Sequence, residues 1–208
     1  MTVSFAVALA LAGCSSDAPP EGQVGHVTTG YGGVVSDEPR SALIGRDILS
    51  AGGNAVDAVV ATYFALSVTY PDAATLGGGG VCVVHGFVGE EEDGRVAAID
   101  FRGRTLERDG RAIVIPGNVR GMFALHARYG RLQWERLLLP AERLARFGNP
   151  VARALARRMA EMPDSVFRAP GIRRLFTVDG RPLKEGEVLR QVELAASLAR
   201  IRLRGAGE

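Results

Sequence analysis

Residues Asn54 to Ser67 read as a helix that is apolar nearly all round. Val56, Val59, Val60, Tyr63 and Phe64 keep the helical period, and the alanines between them leave no broad polar face. A helix of this kind is buried inside a domain, so the rest of the chain has to cover it on several sides. A bilayer is the other place for an apolar helix. Asp57, Thr62 and Ser67 interrupt this one, and it is shorter than a membrane span. Its start is written locally, with Asn54 as cap and Asp57 three residues on as a capping-box partner. Gly52-Gly53 stops a preceding helix that opens at Ser36-Asp37-Glu38-Pro39 and runs to about Ser50.

The remaining texture supplies the cover. Gly33-Val34-Val35 is a short strand candidate. Pro71 and the run Gly77-Gly78-Gly79-Gly80 lead into strand residues 81–88; an acidic turn at Glu90 to Gly94 precedes a returning strand, 95–101. After a basic loop, Ala112 to Ile115 form another short strand, and Pro116-Gly117-Asn118 opens a helix through Tyr129. Trp134, Leu137, Leu138, Ala141, Leu144 and Ala145 continue a helical stripe, which Pro140 is expected to divide into two helices or to restart. Further helices are expected over 151–161 and 191–202, with a turn at Val178-Asp179-Gly180. There is no internal repeat. Helices around short apolar strands make an α+β or layered α/β arrangement. A length of 208 residues with 47% hydrophobic side chains suits one globular domain, and two cysteines cannot make a disulfide framework. Formal charge is only +2, yet Lys184 is the single lysine and arginine carries the rest.

The first residues read as an address. Val3 to Ala12 are too short a run to cross a bilayer as a helix, and Leu11-Ala12-Gly13-Cys14 resembles the lipobox of bacterial lipoproteins. That gives a signal peptide over 1–13, a tether over 14–29 and a body over 30–208. The resemblance implies that Cys14 becomes the lipid-carrying N-terminus and anchors a periplasm-facing protein to a bacterial cell envelope. An ordinary leader and a catalytic N-terminal cysteine are the other readings of Cys14.

Several segments together resemble the large subunit of the gamma-glutamyltransferases (glutathione hydrolases). Asp47 to Ala58 is similar to the family's "iLxxGGNAvDAa" signature, and Pro71 through the glycine run to its "P…GxGGGG" segment. Ile99-Asp100-Phe101-Arg102 resembles its "lDfRE" strand end, and Pro116 to Gly121 its "PGtvaG" turn. Tyr129 to Leu132 with Trp134, Pro140-Ala141 with Leu144-Ala145, and Gly180 to Leu183 continue the series in the family's order. The resemblance implies a partial N-terminal-nucleophile hydrolase fold, two sheets between helical layers (αββα), of which this chain holds only the large-subunit portion. It implies a self-cleaving precursor whose small subunit begins with the nucleophilic threonine. That threonine would take the γ-glutamyl group from a glutathione-class donor and pass it to water or an amino acid, with no metal or cofactor. The chain is expected to stop inside the large-subunit region, so the small subunit is a partner and no catalytic residue is expected here. A non-catalytic lipoprotein remnant or a membrane-surface binding module is the alternative.

Arg102 is the one substrate-binding residue the resemblance transfers, placed to hold the donor's α-carboxylate. Guanidinium pairs bidentately with carboxylate, and a strand end fixes its direction. Gly103 stands where the family has glutamate, the route from Arg102 to Pro116 is short, and Arg104 could contribute instead. The glycine run lacks a following Gly-Lys-Ser/Thr, so it reads as a close-packed backbone turn and not a phosphate cradle. His26, His85 and His126 are too scattered for a metal site, and His126 shares an apolar face with Val119, Met122 and Phe123. Asp57 and Asp100 are too far apart to pair, Cys82 reads as a buried hydrophobe, and Thr28-Thr29 as an entry loop. The arginine-dense stretch from Arg143 to Arg174 is a solvated helix face or else a contact for anionic lipid, nucleic acid or an acidic partner, with lipid ahead of DNA; no nucleic-acid partner is expected.

Overall fold

The structure, a computed structural model, describes residues 32–86 and 96–207. Cys14, His26, Thr28-Thr29 and the acidic turn at 90–94 lie outside the described residues. Helix α1 (Pro39–Ser50) is followed by the apolar helix α2 (Ala55–Thr69) and two antiparallel strand pairs, β1 (Val81–His85) with β2 (Val96–Asp100) and β3 (Arg104–Arg108) with β4 (Arg111–Ile115). Then come α3 (Asn118–Tyr129), α4 (Trp134–Phe147), β5 (Asn149–Pro150), α5 (Arg153–Glu161), α6 (Pro170–Phe176), β6 (Thr177–Val178), β7 (Arg181–Pro182), β8 (Val188–Leu189) and α7 (Val192–Arg204). Every sheet among the described residues has two strands.

Helix α2 is the axis of the main core. Val60, Ala61, Phe64, Ala65 and Val68 have no exposure. The Phe64 ring meets Trp134 edge-on, with centroids 5.5 Å apart. The Trp134 indole N–H donates to the Ile201 carbonyl at 3.0 Å, tying α4 to α7. Between those helices the buried Glu142 accepts from Arg146 and Arg202 at 2.9 and 2.8 Å. Burial pushes the Glu142 carboxyl up, but the two guanidinium donors outweigh it and the net shift is downward. A second, smaller core gathers Val151, Leu155, Met159, Leu183 and Leu189.

The capping box at α2 forms as its sequence predicts, with Asn54 Oδ1 accepting from the Asp57 amide and Asp57 Oδ2 from the Asn54 amide, both at 3.0 Å. Helix α1 uses a different cap from the one its opener offers first. Buried Glu38, not Ser36, accepts from the Ser41 amide at 2.8 Å.

Four expectations need correction. Residues 33–35 form no strand, because nothing among the described residues pairs with them. Pro140 does not divide the stripe; α4 runs through it, since Leu137, Leu138, Ala141 and Ala145 on both sides of it are held fully buried in one core. The expected basic loop is half of a hairpin. Asp109 and Gly110 both have positive φ, 53° and 69°, as a two-residue type I′ turn between β3 and β4 requires. Cys82 is half-buried rather than buried, and its partial burial pushes the thiol up.

Candidate functional site

The glycine run makes a saddle of bare backbone. The Gly78 carbonyl accepts from the Gly117 and Asn118 amides at 2.9 and 3.1 Å, and the Gly80 carbonyl accepts from the Phe101 amide at 2.9 Å. Side chains fix the approach to the run: Asn118 Nδ2 and the Tyr63 hydroxyl both donate to the Thr75 carbonyl, at 2.8 and 2.6 Å. Burial pushes the Tyr63 hydroxyl well up, so it stays a donor.

Glycine is required here by contact rather than by flexibility. A Cβ on Gly79 would strike the Gly103 amide nitrogen, with the Arg102 Cα at 2.7 Å. One on Gly117 would strike the Phe101 carbonyl oxygen, and one on Gly121 the Phe101 ring. Residues 101–103 are thus gripped between the glycine run and the start of α3, and Phe101 is packed against the main core. Two segments separated in sequence converge on one backbone stretch, and that stretch carries Arg102.

Arg102 projects from this grip with its side chain 72% exposed. Its backbone amide donates to Asp100 Oδ1 at 3.0 Å, and its Nε and Nη2 reach the same carboxylate at 3.0 and 2.6 Å. These bonds from Arg102, side chain first and backbone second, hold the Asp100 carboxyl down at about 2. Asp100 thereby occupies the Nε–Nη2 edge of the guanidinium and leaves the Nη1–Nη2 edge toward solvent. Asp100 in this role is a residue the sequence reading missed; a carboxylate two positions before an arginine at a strand end was the available signal.

The other candidates part company with this site. Asp57 is fully buried and accepts from the Arg131 and Leu132 amides at 3.1 and 3.2 Å, which makes it an anchor for the turn before α4. His126 is half-buried, 2.7 Å from the Leu132 carbonyl through Nε2 and 3.8 Å from Asp57. Arg104 lies at the start of β3, on an exposed hairpin. No group of three metal-ligating side chains occurs among the described residues.

Residues 41–208 match the family described as gamma-glutamyltranspeptidase. The chain belongs to that family. The glutathione hydrolase proenzyme of Pseudomonas aeruginosa is 34% identical over 221 aligned positions, covering 100% of this chain and 38% of that protein. The crystal structure of Helicobacter pylori gamma-glutamyltranspeptidase superposes with a TM-score of 0.75 at 30% identity, over 86% of this chain and 56% of that one. The transpeptidase CapD of Bacillus anthracis gives 0.74 at 32% identity, over 85% and 60%. These likenesses show the α+β, N-terminal-nucleophile hydrolase fold in part. The chain spans about a third of the length of the curated relatives it matches.

Proposed function

We propose that this chain is the large-subunit portion of a gamma-glutamyltransferase or glutathione hydrolase, in which Arg102 holds the α-carboxylate of a γ-glutamyl donor. The carrying observation is the glycine-braced backbone of residues 101–103, which sets a guanidinium at a fixed place with one edge pinned by Asp100. The remaining edge offers two parallel N–H donors, the fork that a carboxylate accepts bidentately. The nucleophile on this reading is the N-terminal threonine of a small subunit. Its α-amine takes the hydroxyl proton as the oxygen attacks the γ-glutamyl carbonyl, and the leaving amine departs protonated. Water or an amino acid then resolves the acyl-enzyme. Anchoring through Cys14 to a bacterial envelope membrane belongs to the same proposal and rests on the lipobox resemblance alone.

The test joins genetics to kinetics. If the frame or a neighbouring frame supplies a threonine-led small subunit, the assembled protein hydrolyses a γ-glutamyl anilide. Arg102→Lys, which keeps the charge and loses the fork, then raises KM for the donor about tenfold or more. An unchanged KM in that variant would remove Arg102 from the binding site. Absence of any such subunit favours the non-catalytic lipoprotein remnant.

A further inference from the structure

We infer that the face built from the end of α4, β8, the start of α7 and α6 docks on an anionic lipid bilayer. Three large apolar side chains stand out from it: Phe147 is 71% exposed, Val188 63% and Val192 50%. The backbone makes the first two neighbours. Asn149 and Pro150, just after Phe147-Gly148, pair with Leu189 and Val188, and a Cβ on Gly148 would meet Val188 Cγ1 at 2.7 Å. Val192 opens the helix that follows β8. Scattered exposed apolar residues are ordinary; an aromatic and two valines on adjoining elements offer a contact surface.

Arginines surround this group. Exposed Arg143 precedes Phe147 by one turn of α4, and exposed Arg190 spends its Nε on the Arg146 carbonyl at 2.9 Å, so no carboxylate offsets it through that bond. Helix α6 joins the face through Arg174, which reaches Glu193 beside Val192 at 2.8 Å. Arg168, Arg173 and Arg174, with Thr177, line a shallow cleft of about 460 Å³. The lining carries those three arginines and no acid; Glu193 offsets one of the charges, and Asp164 and Asp179 flank the segment on either side without lining the cleft.

The combination selects the partner. A nucleic-acid duplex would use the arginines and ignore Phe147; a protein interface would place its charges at the rim and bury a larger apolar centre. A bilayer surface takes both, with guanidinium groups on lipid phosphates and amphipathic or aromatic side chains at the headgroup level. Helix α6 repeats the pattern. It turns Arg173 and Arg174 into the cleft, while Ile172 and Phe176 line an apolar pocket of about 190 Å³. Phosphate chemistry on one side of a helix and hydrocarbon chemistry on the next side is what an anionic lipid presents. The inference holds whether or not Cys14 is acylated and whether or not Arg102 binds a donor.

Vesicle flotation of the soluble fraction of residues 15–208, which removes both the apolar run Val3 to Ala12 and Cys14, tests it, because bound protein rises and aggregate stays below. The chain is expected to float with vesicles of phosphatidylcholine plus phosphatidylglycerol and not with phosphatidylcholine alone, and to be released by salt. Arg173→Gln with Arg174→Gln lowers partitioning about 25-fold, at about fivefold for each arginine near the surface. Phe147→Ser, at a site already exposed, lowers it severalfold with an unchanged circular dichroism spectrum. Flotation that ignores lipid charge, survives either variant, or does not occur overturns the inference. Binding that RNA competes away and that Phe147→Ser leaves intact makes the face a general polyanion surface instead.

Discussion

Asp100 is held by the residue it steadies, and that reciprocity has a pH signature. Its carboxyl ordinarily titrates near 3.8 and is held at about 2 by Arg102; Glu187, ordinarily near 4.5, is held at about 2 by the Arg181 guanidinium and the Lys184 amide. In the unfolded chain both revert to ordinary values. Between about pH 4.5 and about 2 the unfolded state therefore binds more protons than the folded one, and stability falls as pH falls. Above that window both groups are ionised in both states and their contribution is fully present. Thermal melts across the window are expected to show a declining midpoint, and Asp100→Asn with Glu187→Gln to flatten the decline. Both pairs face solvent, so added salt weakens the effect as well. A decline of the same steepness in the double variant would assign the acid sensitivity to other carboxylates. Legibility at this scale followed sequence distance. The Asn54–Asp57 box is local and could be read from spacing, whereas the Arg131 amide that Asp57 also receives lies 74 residues on and left no local trace. Arg102 was legible as a motif residue, but its partnership with Asp100 required the side-chain direction that the strand end imposes.

Among the elements, α3 shows how packing overrides propensity. Gly121 sits in the first turns of that helix, where alanine would ordinarily stabilise by about 1 kcal/mol. A Cβ there would run into Phe101, reaching its Cβ at 2.6 Å, close to the backbone that carries Arg102. A ring tip could swing aside, but atoms this near the main chain cannot, and overpacking of this kind costs about 1–3 kcal/mol. The cost exceeds the propensity gain, so Gly121→Ala is expected to destabilise the chain and lower its denaturant midpoint. A raised midpoint would mean that Phe101 is less firmly gripped than its contacts indicate. The same competition explains what the sequence reading missed among the elements. Pro140 was read as a break because its missing N–H is a local fact, while the core that holds α4 together across it is assembled from α2 and α7. The hairpin of β3 and β4 escaped for the opposite reason: its Asp109-Gly110 turn signal was present, but all ten strand residues are exposed and show no buried-face alternation. Helix α2 was legible throughout because its caps and its burial are both encoded within its own residues.

At the scale of the whole molecule, the β1–β2 pair has an apolar side that nothing in the described residues covers. Cys82, Val84 and Ile99 face the main core, while Val81, Val83 and Val96 are 55%, 66% and 65% exposed on the opposite side. Strands apolar on both faces belong inside a sandwich, covered by a layer on each side. Both edges of this two-stranded sheet also keep unpaired backbone groups among the described residues. On the proposed reading the missing layer comes from the segment that carries the threonine. Residues 15–208 prepared by themselves are then expected to self-associate and to bind a hydrophobic dye. Val83→Thr with Val96→Thr should lessen both, since these β-branched replacements keep strand propensity while removing apolar surface from water. In the assembled precursor the sign reverses, because the same hydroxyls would be buried against the second layer without assured partners. Analytical ultracentrifugation of the isolated chain, beside melting of the assembled protein, reads both halves. A parent chain that is monodisperse and melts cooperatively without the second layer would show that this face needs no cover, and would count against the large-subunit reading of the whole chain.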